Sequence, residues 1–183
     1  QVEMNAGLQF FDGIKTSDIQ EILVRSANDL ISLEAPNYQF VAARLLLFGL
    51  RKAVYNGHPD GHPPLKEHVA KCVERGVYDS SILGKYTDEE WEKLSGFMDH
   101  DRDYLFTYAG IRQVVDKYLV QDRSSGQVYE TPQFMYMMIA ATLFQDDDKF
   151  YRLEYVKKYY DAISKHRINI PTPVMAGVRT PLR

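Results

Sequence analysis

Four groupings of side chains in this sequence have types and spacings that chemistry uses. His58 and His62 stand four residues apart, as do His68 and Cys72. Imidazole and thiolate at such separations could converge on one zinc ion. The first pair, however, lies in Asn56-Gly57-His58-Pro59-Asp60-Gly61-His62-Pro63-Pro64, a turn-rich run with no helix face to hold a ligand set rigid. Cys72 falls on the apolar stripe of its own segment, the place of a small core residue, so no metal is expected. Asp99, Asp101 and Asp103 alternate with His100 and Arg102. Two carboxylates sharing a pocket would serve acid–base work, whereas Asp and Arg side chains that satisfy each other and cap neighbouring helices would be structural. The sequence favours the second reading, and Asp146-Asp147-Asp148 reads as a solvated loop. The fourth grouping is Thr172, held between Pro171 and Pro173, with Arg179 just beyond. Ile168 and Ile170 alternate as in an extended segment, and the two prolines deny backbone donors to a ladder. The spacing predicts a strand tip with the Thr172 hydroxyl on a stiff mount, or, more plainly, a strand followed by an exit loop. No Gly-rich phosphate loop and no nucleophile elbow is present.

The bulk properties bound what such groups can do. The chain has 183 residues, 45% apolar and 26% charged, enough for one good core. A net charge of −3 and a pI near 6.0 give no electrostatic reason to expect nucleic acid or an anionic membrane. One cysteine permits no internal disulfide, and a reducing, cytoplasmic setting fits. No apolar run approaches the roughly 20 residues that span a bilayer. The chain begins at Gln1 and ends at Arg183 with no natural start or stop, so a piece of something longer is expected.

The elements that must position these groups read as mainly helical. Ser17 and Gln20 have capping-box spacing, and Ile19, Ile22, Leu23, Ala27, Leu30 and Ile31 form a stripe that Pro36 ends. Asn37 can cap a second helix carrying Val41, Ala42, Leu45, Leu46 and Leu50, stopped by Asn56-Gly57, so the two make an antiparallel hairpin. The loop after Asn56 is the candidate domain boundary, giving units 1–56 and 57–183. Helices follow on Leu65, Val69 and Cys72, closed by Gly76, then on Trp91 and Leu94 behind the capping box Thr87 to Glu90, then on Ile111 and Val114. Tyr118-Leu119-Val120 and Val128-Tyr129 flank the turn residues Ser124-Ser125-Gly126 as one small hairpin. Thr131-Pro132 opens a helix apolar nearly all round to Leu143, and a last long helix places Phe150, Leu153, Val156, Tyr160 and Ile163 inward.

Leu/Ile-Pro-Thr-Pro-x-Met-x-Gly-x-Arg-Thr-Pro, here residues 170–181, resembles the segment before the first redox cysteine in the large subunit of aerobic, class I ribonucleotide reductase. The runs Phe11-Asp12-Gly13-Ile14-Lys15-Thr16-Ser17-Asp18-Ile19 and Ala35-Pro36-Asn37-Tyr38-Gln39-Phe40-Val41-Ala42-Ala43-Arg44 resemble the same subunit. So do His100-Asp101-Arg102-Asp103, Lys117-Tyr118-Leu119-Val120 and Tyr129-Glu130-Thr131-Pro132-Gln133-Phe134, in the same order and at similar spacing, with the bacterial and bacteriophage branch the nearest. Together they cover essentially the whole chain.

The resemblance implies a fold: the second half of an ATP-cone domain over residues 1–56, then the helical region that leads into a ten-stranded α/β barrel, whose first strand is the Ile168-Asn169-Ile170 segment. It implies, for an intact subunit, reduction of ribonucleoside diphosphates to deoxyribonucleoside diphosphates by thiyl-radical chemistry. It also implies partners: a radical-bearing small subunit, a second large subunit, and thioredoxin or glutaredoxin as reductant. ATP and dATP would act as allosteric effectors, with no metal on this subunit. The positions that match the family's nucleotide contacts are Thr16 and Lys52, and Thr172 matches its substrate-contacting threonine. Departures are the missing N-terminal strands of the cone and Gln20, which stands where relatives often have histidine; both put ATP binding in question. Cys72 matches no catalytic position, so no catalytic residue is expected here and the chain alone is expected to be inactive. The competing class is a non-catalytic helical module that senses nucleotides or binds a partner.

Overall fold

Helices α1 (Val2–Gly7), α2 (Thr16–Asn28) and α3 (Tyr38–Tyr55) open the chain in a computed structural model that describes residues 1–57 and 61–182. The capping box expected of Ser17 and Gln20 does not form. Lys15 is the N-cap and makes no side-chain cap bond, so Ser17 already lies inside the helix and Gln20 sits two residues beyond the position that could reach back to the cap. Its amide instead donates to the Leu45 carbonyl of α3. Its side chain also fills the space above Gly49, where an added Cβ would lie 3.0 Å from Gln20 Cγ. Gly49 therefore sets how closely α2 and α3 approach. Helix α2 ends at Asn28 rather than near Pro36, and residues 29–37 connect it to α3. Asn56, in the left-handed conformation at φ 49°, ends α3 where the sequence placed a stop.

Helix α4 (Leu65–Glu74) runs into Gly76 at φ 70°, and a 3₁₀ turn at Ser80–Gly84 follows. Helix α5 (Asp88–Phe97) shows both predicted capping-box bonds, Glu90 N–H to Thr87 Oγ1 at 3.3 Å and Thr87 N–H to Glu90 Oε2 at 2.8 Å. The acidic run after it is a 3₁₀ turn, His100–Leu105, whose start Asp99 caps by accepting from Asp101 N–H. Helix α6 (Tyr108–Lys117) leads to strands β1 (Gln121–Asp122) and β2 (Gln127–Val128), antiparallel with Gln121 opposite Val128. The ladder sits nearer the turn than the sequence predicted. The Asp122 carboxylate gathers Ser124 N–H, Ser124 Oγ and Ser125 Oγ at 2.6–2.9 Å and tightens the turn. Beyond the ladder a single bond, Tyr129 N–H to Val120 O at 2.9 Å, continues the pairing.

Helix α7 (Pro132–Leu143) is buried at every position from Pro132 to Thr142, as its all-round apolar character requires. Helix α8 (Arg152–Ser164) packs on it through Val156, Tyr160 and Ile163. Phe150, predicted inward, is 84% exposed because α8 starts two residues after it and the preceding turn carries its ring outward. Around α7 one continuous core joins Val24, Leu47, Leu65, Trp91, Ile111, Phe134, Met137 and Tyr160. That core runs across the 56/57 boundary without a break. Among the described residues no helix is long and apolar enough to cross a membrane.

The C-terminal segment departs most from expectation. Among the described residues Ile168-Asn169-Ile170 pairs with no strand, since β1 and β2 make the sheet. Thr172 opens helix α9 (Thr172–Gly177) rather than ending a strand, with Pro171 as its extended N-cap. The prolines that exclude a ladder cost nothing in a first helical turn, where backbone N–H groups have no intrahelical partner anyway.

Candidate functional site

Glu130 follows the short hairpin and Thr131, next in the chain, stands at the N-cap position of α7 without a side-chain cap bond, so the carboxylate of Glu130 is drawn into the interior with no exposed surface. It accepts from Val120 N–H at 2.7 Å, from the Tyr78 hydroxyl, and from Arg179 through Nε at 2.9 Å and through Nη2. Arg179, 1% exposed, donates also to the carbonyls of Met175 and of Tyr118. A buried ion pair is tolerated when the remaining lone pairs and protons are satisfied, and here nearly all are. Burial alone would lower the Arg179 pKa, but Glu130 outweighs it and holds the guanidinium above its ordinary value. Burial, with Glu130 beside it, pushes the Tyr78 phenol well up. Arg179, which the sequence offered only as a cation beyond a loop, is thus the anchor of the C-terminal segment.

Thr172 itself is exposed, and its Oγ1 lies 3.4 Å from the Tyr118 hydroxyl. Tyr118 helps line a cleft of about 600 Å³ with Phe106, Tyr136, His166, Ile170 and Met175. His166, at φ 54°, tilts its ring 4.5 Å from Phe106, and burial lowers its pKa. The cleft presents hydroxyls and apolar walls and lacks a carboxylate among its lining residues. Such a surface can bind and orient.

A second candidate region lies along α3, on the Tyr104 side of the His100–Leu105 turn. Lys52 lines a groove of about 740 Å³ with Arg44, Phe48, Arg51, Tyr55 and Tyr104. Arg51 is committed: it meets Asp103 at 3.3 Å, the Tyr104 hydroxyl at 2.9 Å and the His100 carbonyl. Among the described residues Arg44 and Lys52 take part in no ion pair, and the Arg44 guanidinium lies 5.6 Å over the Tyr104 ring. Two available cations beside aromatic walls suit an anion that carries a ring. Thr16, the first residue of α2, is exposed and does not line this groove, and no hydrogen bond joins it to Lys52. The two residues matched to nucleotide contacts are therefore not brought together directly.

The remaining candidates resolve into structure. Arg102 bonds Asp99 at 3.3 Å and Asp161 at 2.7 Å. Asp103 is fully buried against Arg51 and, at 2.9 Å, Gln133, whose carbonyl accepts from the Tyr160 hydroxyl. Burial outweighs both partners and pushes Asp103 up to about 6. His58 lies outside the described residues. His62 stacks on His100 at 3.9 Å, and His100 Nδ1 meets the Tyr55 hydroxyl at 2.9 Å. His68 Nε2 is 3.6 Å from Cys72 Sγ, inside the core, and burial pushes that thiol up to about 12, the opposite of a reactive cysteine. Among the described residues no three His, Cys, Asp or Glu side chains converge as a metal site would need. Asp146 pairs with Lys85 at the surface. Glu130 was missed because its partners are 49 and 52 residues away; a carboxylate directly before an apolar helix was the available signal.

Residues 104–183 match the family model described as ribonucleotide reductase, all-alpha domain. Over its whole length the chain is 51% identical to ribonucleoside-diphosphate reductase 1 subunit alpha of Escherichia coli and 51% identical to the alpha subunit of Haemophilus influenzae, covering 24% of each. It is 46% identical over 172 residues to the alpha subunit of Enterobacteria phage T4, 94% of this chain and 22% of that one. The chain thus spans about a quarter of the length of the curated relatives it matches.

Proposed function

Because the chain belongs to the ribonucleotide reductase large-subunit family, we propose that it forms the nucleotide-sensing and substrate-presenting part of such a subunit, which reduces ribonucleoside diphosphates to deoxyribonucleoside diphosphates for DNA synthesis. Residues 57–183 are the helical region of the reductase domain, and α9 carries Thr172 toward the substrate's diphosphate and ribose. A hydroxyl serves that task, since it can donate to a phosphate or ribose oxygen without adding charge. Residues 1–56 are the second half of an ATP cone, in which Lys52, with the groove it lines, and Thr16 contact ATP or dATP. Gln20 spans from α2 to α3 and fixes the register of the pair that carries those two residues. The radical chemistry is supplied by residues other than these. Cys72, the one cysteine in this sequence, is buried with its thiol pushed up to about 12. The partners of this reading are a radical-bearing small subunit, a second large subunit and a thioredoxin or glutaredoxin, in the cytoplasm.

The observation that carries the reading is the full-length similarity to alpha subunits together with the exposed Thr172 hydroxyl on a helix anchored from the core. The test is Thr172→Ala and Lys52→Ala in an intact subunit. Thr172→Ala should raise KM for the diphosphate by about tenfold, the size of one lost polar contact. Lys52→Ala should weaken ATP and dATP regulation while turnover without effector stays the same. Unchanged KM for the first, with undiminished effector response for the second, would sink the proposal.

A further inference from the structure

Helix α9 has six residues, none of them buried, and no side-chain cap bond. A helix that short does not persist on its own, and although Val174 and Met175 pack half-buried against the core, its level along that surface has to be set by a further contact. The contact is made from one turn further on. Arg179 reaches back to the carbonyl of Met175, inside α9, and its other terminal nitrogen reaches the carbonyl of Tyr118. Tyr118 is the residue whose hydroxyl lies 3.4 Å from Thr172 Oγ1. One guanidinium therefore touches both the helix that carries Thr172 and the residue that faces it. The guanidinium is itself fixed by the fork onto Glu130, which Val120 N–H and the Tyr78 hydroxyl hold in turn. The Arg179 carbonyl accepts from Asp79 N–H at 3.0 Å, so its backbone is held as well.

We infer that Glu130 and Arg179 are positioning residues for Thr172: the buried pair sets the level of α9 against α6 and, through Tyr118, the direction in which the Thr172 hydroxyl points. The inference rests on the proposal that Thr172 contacts substrate. Lysine cannot replace arginine here, because one ammonium cannot fork onto a carboxylate and also span both carbonyls.

The experiment is a double-mutant cycle in an intact subunit, reading KM and kcat for a ribonucleoside diphosphate. Arg179→Lys should raise KM about tenfold with kcat changed less than about threefold, and Thr172→Ala should raise KM similarly. The double variant should be no worse than Thr172→Ala alone, because a misplaced hydroxyl and a missing one forfeit the same contact. Additive losses, or an Arg179→Lys enzyme with wild-type KM while Thr172→Ala is impaired, overturn the positioning role and leave the substrate role standing. A silent Thr172→Ala removes the substrate role and the positioning role with it. Should Arg179→Lys fail to fold, Tyr118→Phe decides, since it keeps the carbonyl and deletes only the facing hydroxyl. It should raise KM about threefold in the parent and have no effect beside Thr172→Ala; a silent or additive Tyr118→Phe overturns the inference.

Discussion

His68 and His100 are the side chains whose charge state the fold constrains most plainly. His68 lies flat on Phe134 at 3.7 Å, inside the core, and burial, with Lys71 and Arg75 nearby, lowers its pKa from 6.5 to about 3. Burial also lowers His100 to about 3, helped by His62 and Arg51. Both are neutral when folded and protonate readily when unfolded, so below pH 6.5 the unfolded chain binds more protons and stability falls as pH drops. Asp103 works the other way. Its folded pKa of about 6 exceeds the ordinary 3.8, so between those values the folded state binds the extra proton and stability falls as pH rises. Two histidines against one aspartate leave a net loss on acidification, on the order of 2 kcal/mol between pH 6.5 and 5. Urea denaturation at those two pH values checks it. His68→Phe, which keeps a ring against Phe134, should remove most of the pH dependence, because the remaining His100 is then nearly offset by Asp103; a slope untouched by the substitution would show that His68 titrates alike in the folded and unfolded chain.

Helix α5 shows how far an element can be read from its own residues. Its capping box was legible because both partners lie within one turn, and the same locality made Thr131-Pro132 and the stop at Asn56 legible. The Ser17 and Gln20 pair had the same spacing and failed, because Gln20 gains more by bridging to the Leu45 carbonyl across helices than by capping its own. What spacing could not reveal in α5 is that Glu90 has a second task. Its carboxylate meets Arg152, 62 residues on and 3% exposed at the side chain, at 2.6–3.1 Å through Nε and Nη2. Thr87→Ala should therefore cost only about 1 kcal/mol, the usual worth of a cap. Glu90→Ala should cost about 3–5 kcal/mol, because it strands a buried guanidinium. Denaturant midpoints of the two variants decide it, and equal losses would mean that the Arg152 pairing adds nothing. The C-terminal segment failed for a related reason. Alternating Ile168 and Ile170 read as a strand, but a strand needs a neighbour and the prolines suit a first helical turn equally well.

At the scale of the molecule, the sequence suggested two units joined at 56/57, and the packing gives them one interior. Turn-rich composition is a local signal, whereas sharing a core is decided by which apolar faces meet, and spacing along a chain does not encode that. Leu47, with no exposed surface, belongs to the first unit, yet it lies in one continuous cluster with Leu65, Trp91 and Phe134 of the second. The same non-locality hid the candidate site: Thr172 was visible in the sequence, but Glu130 and Tyr78, which hold its anchor, were not. A shared core makes the parts unfold together even if they serve different ligands, because melting one exposes the apolar face of the other. Trp91 is the one tryptophan and is buried in α5, so its fluorescence reports the second unit alone, while far-ultraviolet dichroism reports helices in both. The two signals should follow a single transition. Leu47→Ala, made in the first unit, should move both midpoints together and cost about 2–5 kcal/mol, the range for deleting a buried leucine side chain. If the substitution shifts the helical signal while Trp91 melts at its original midpoint, the core is divided at the loop and the two units are energetically separate.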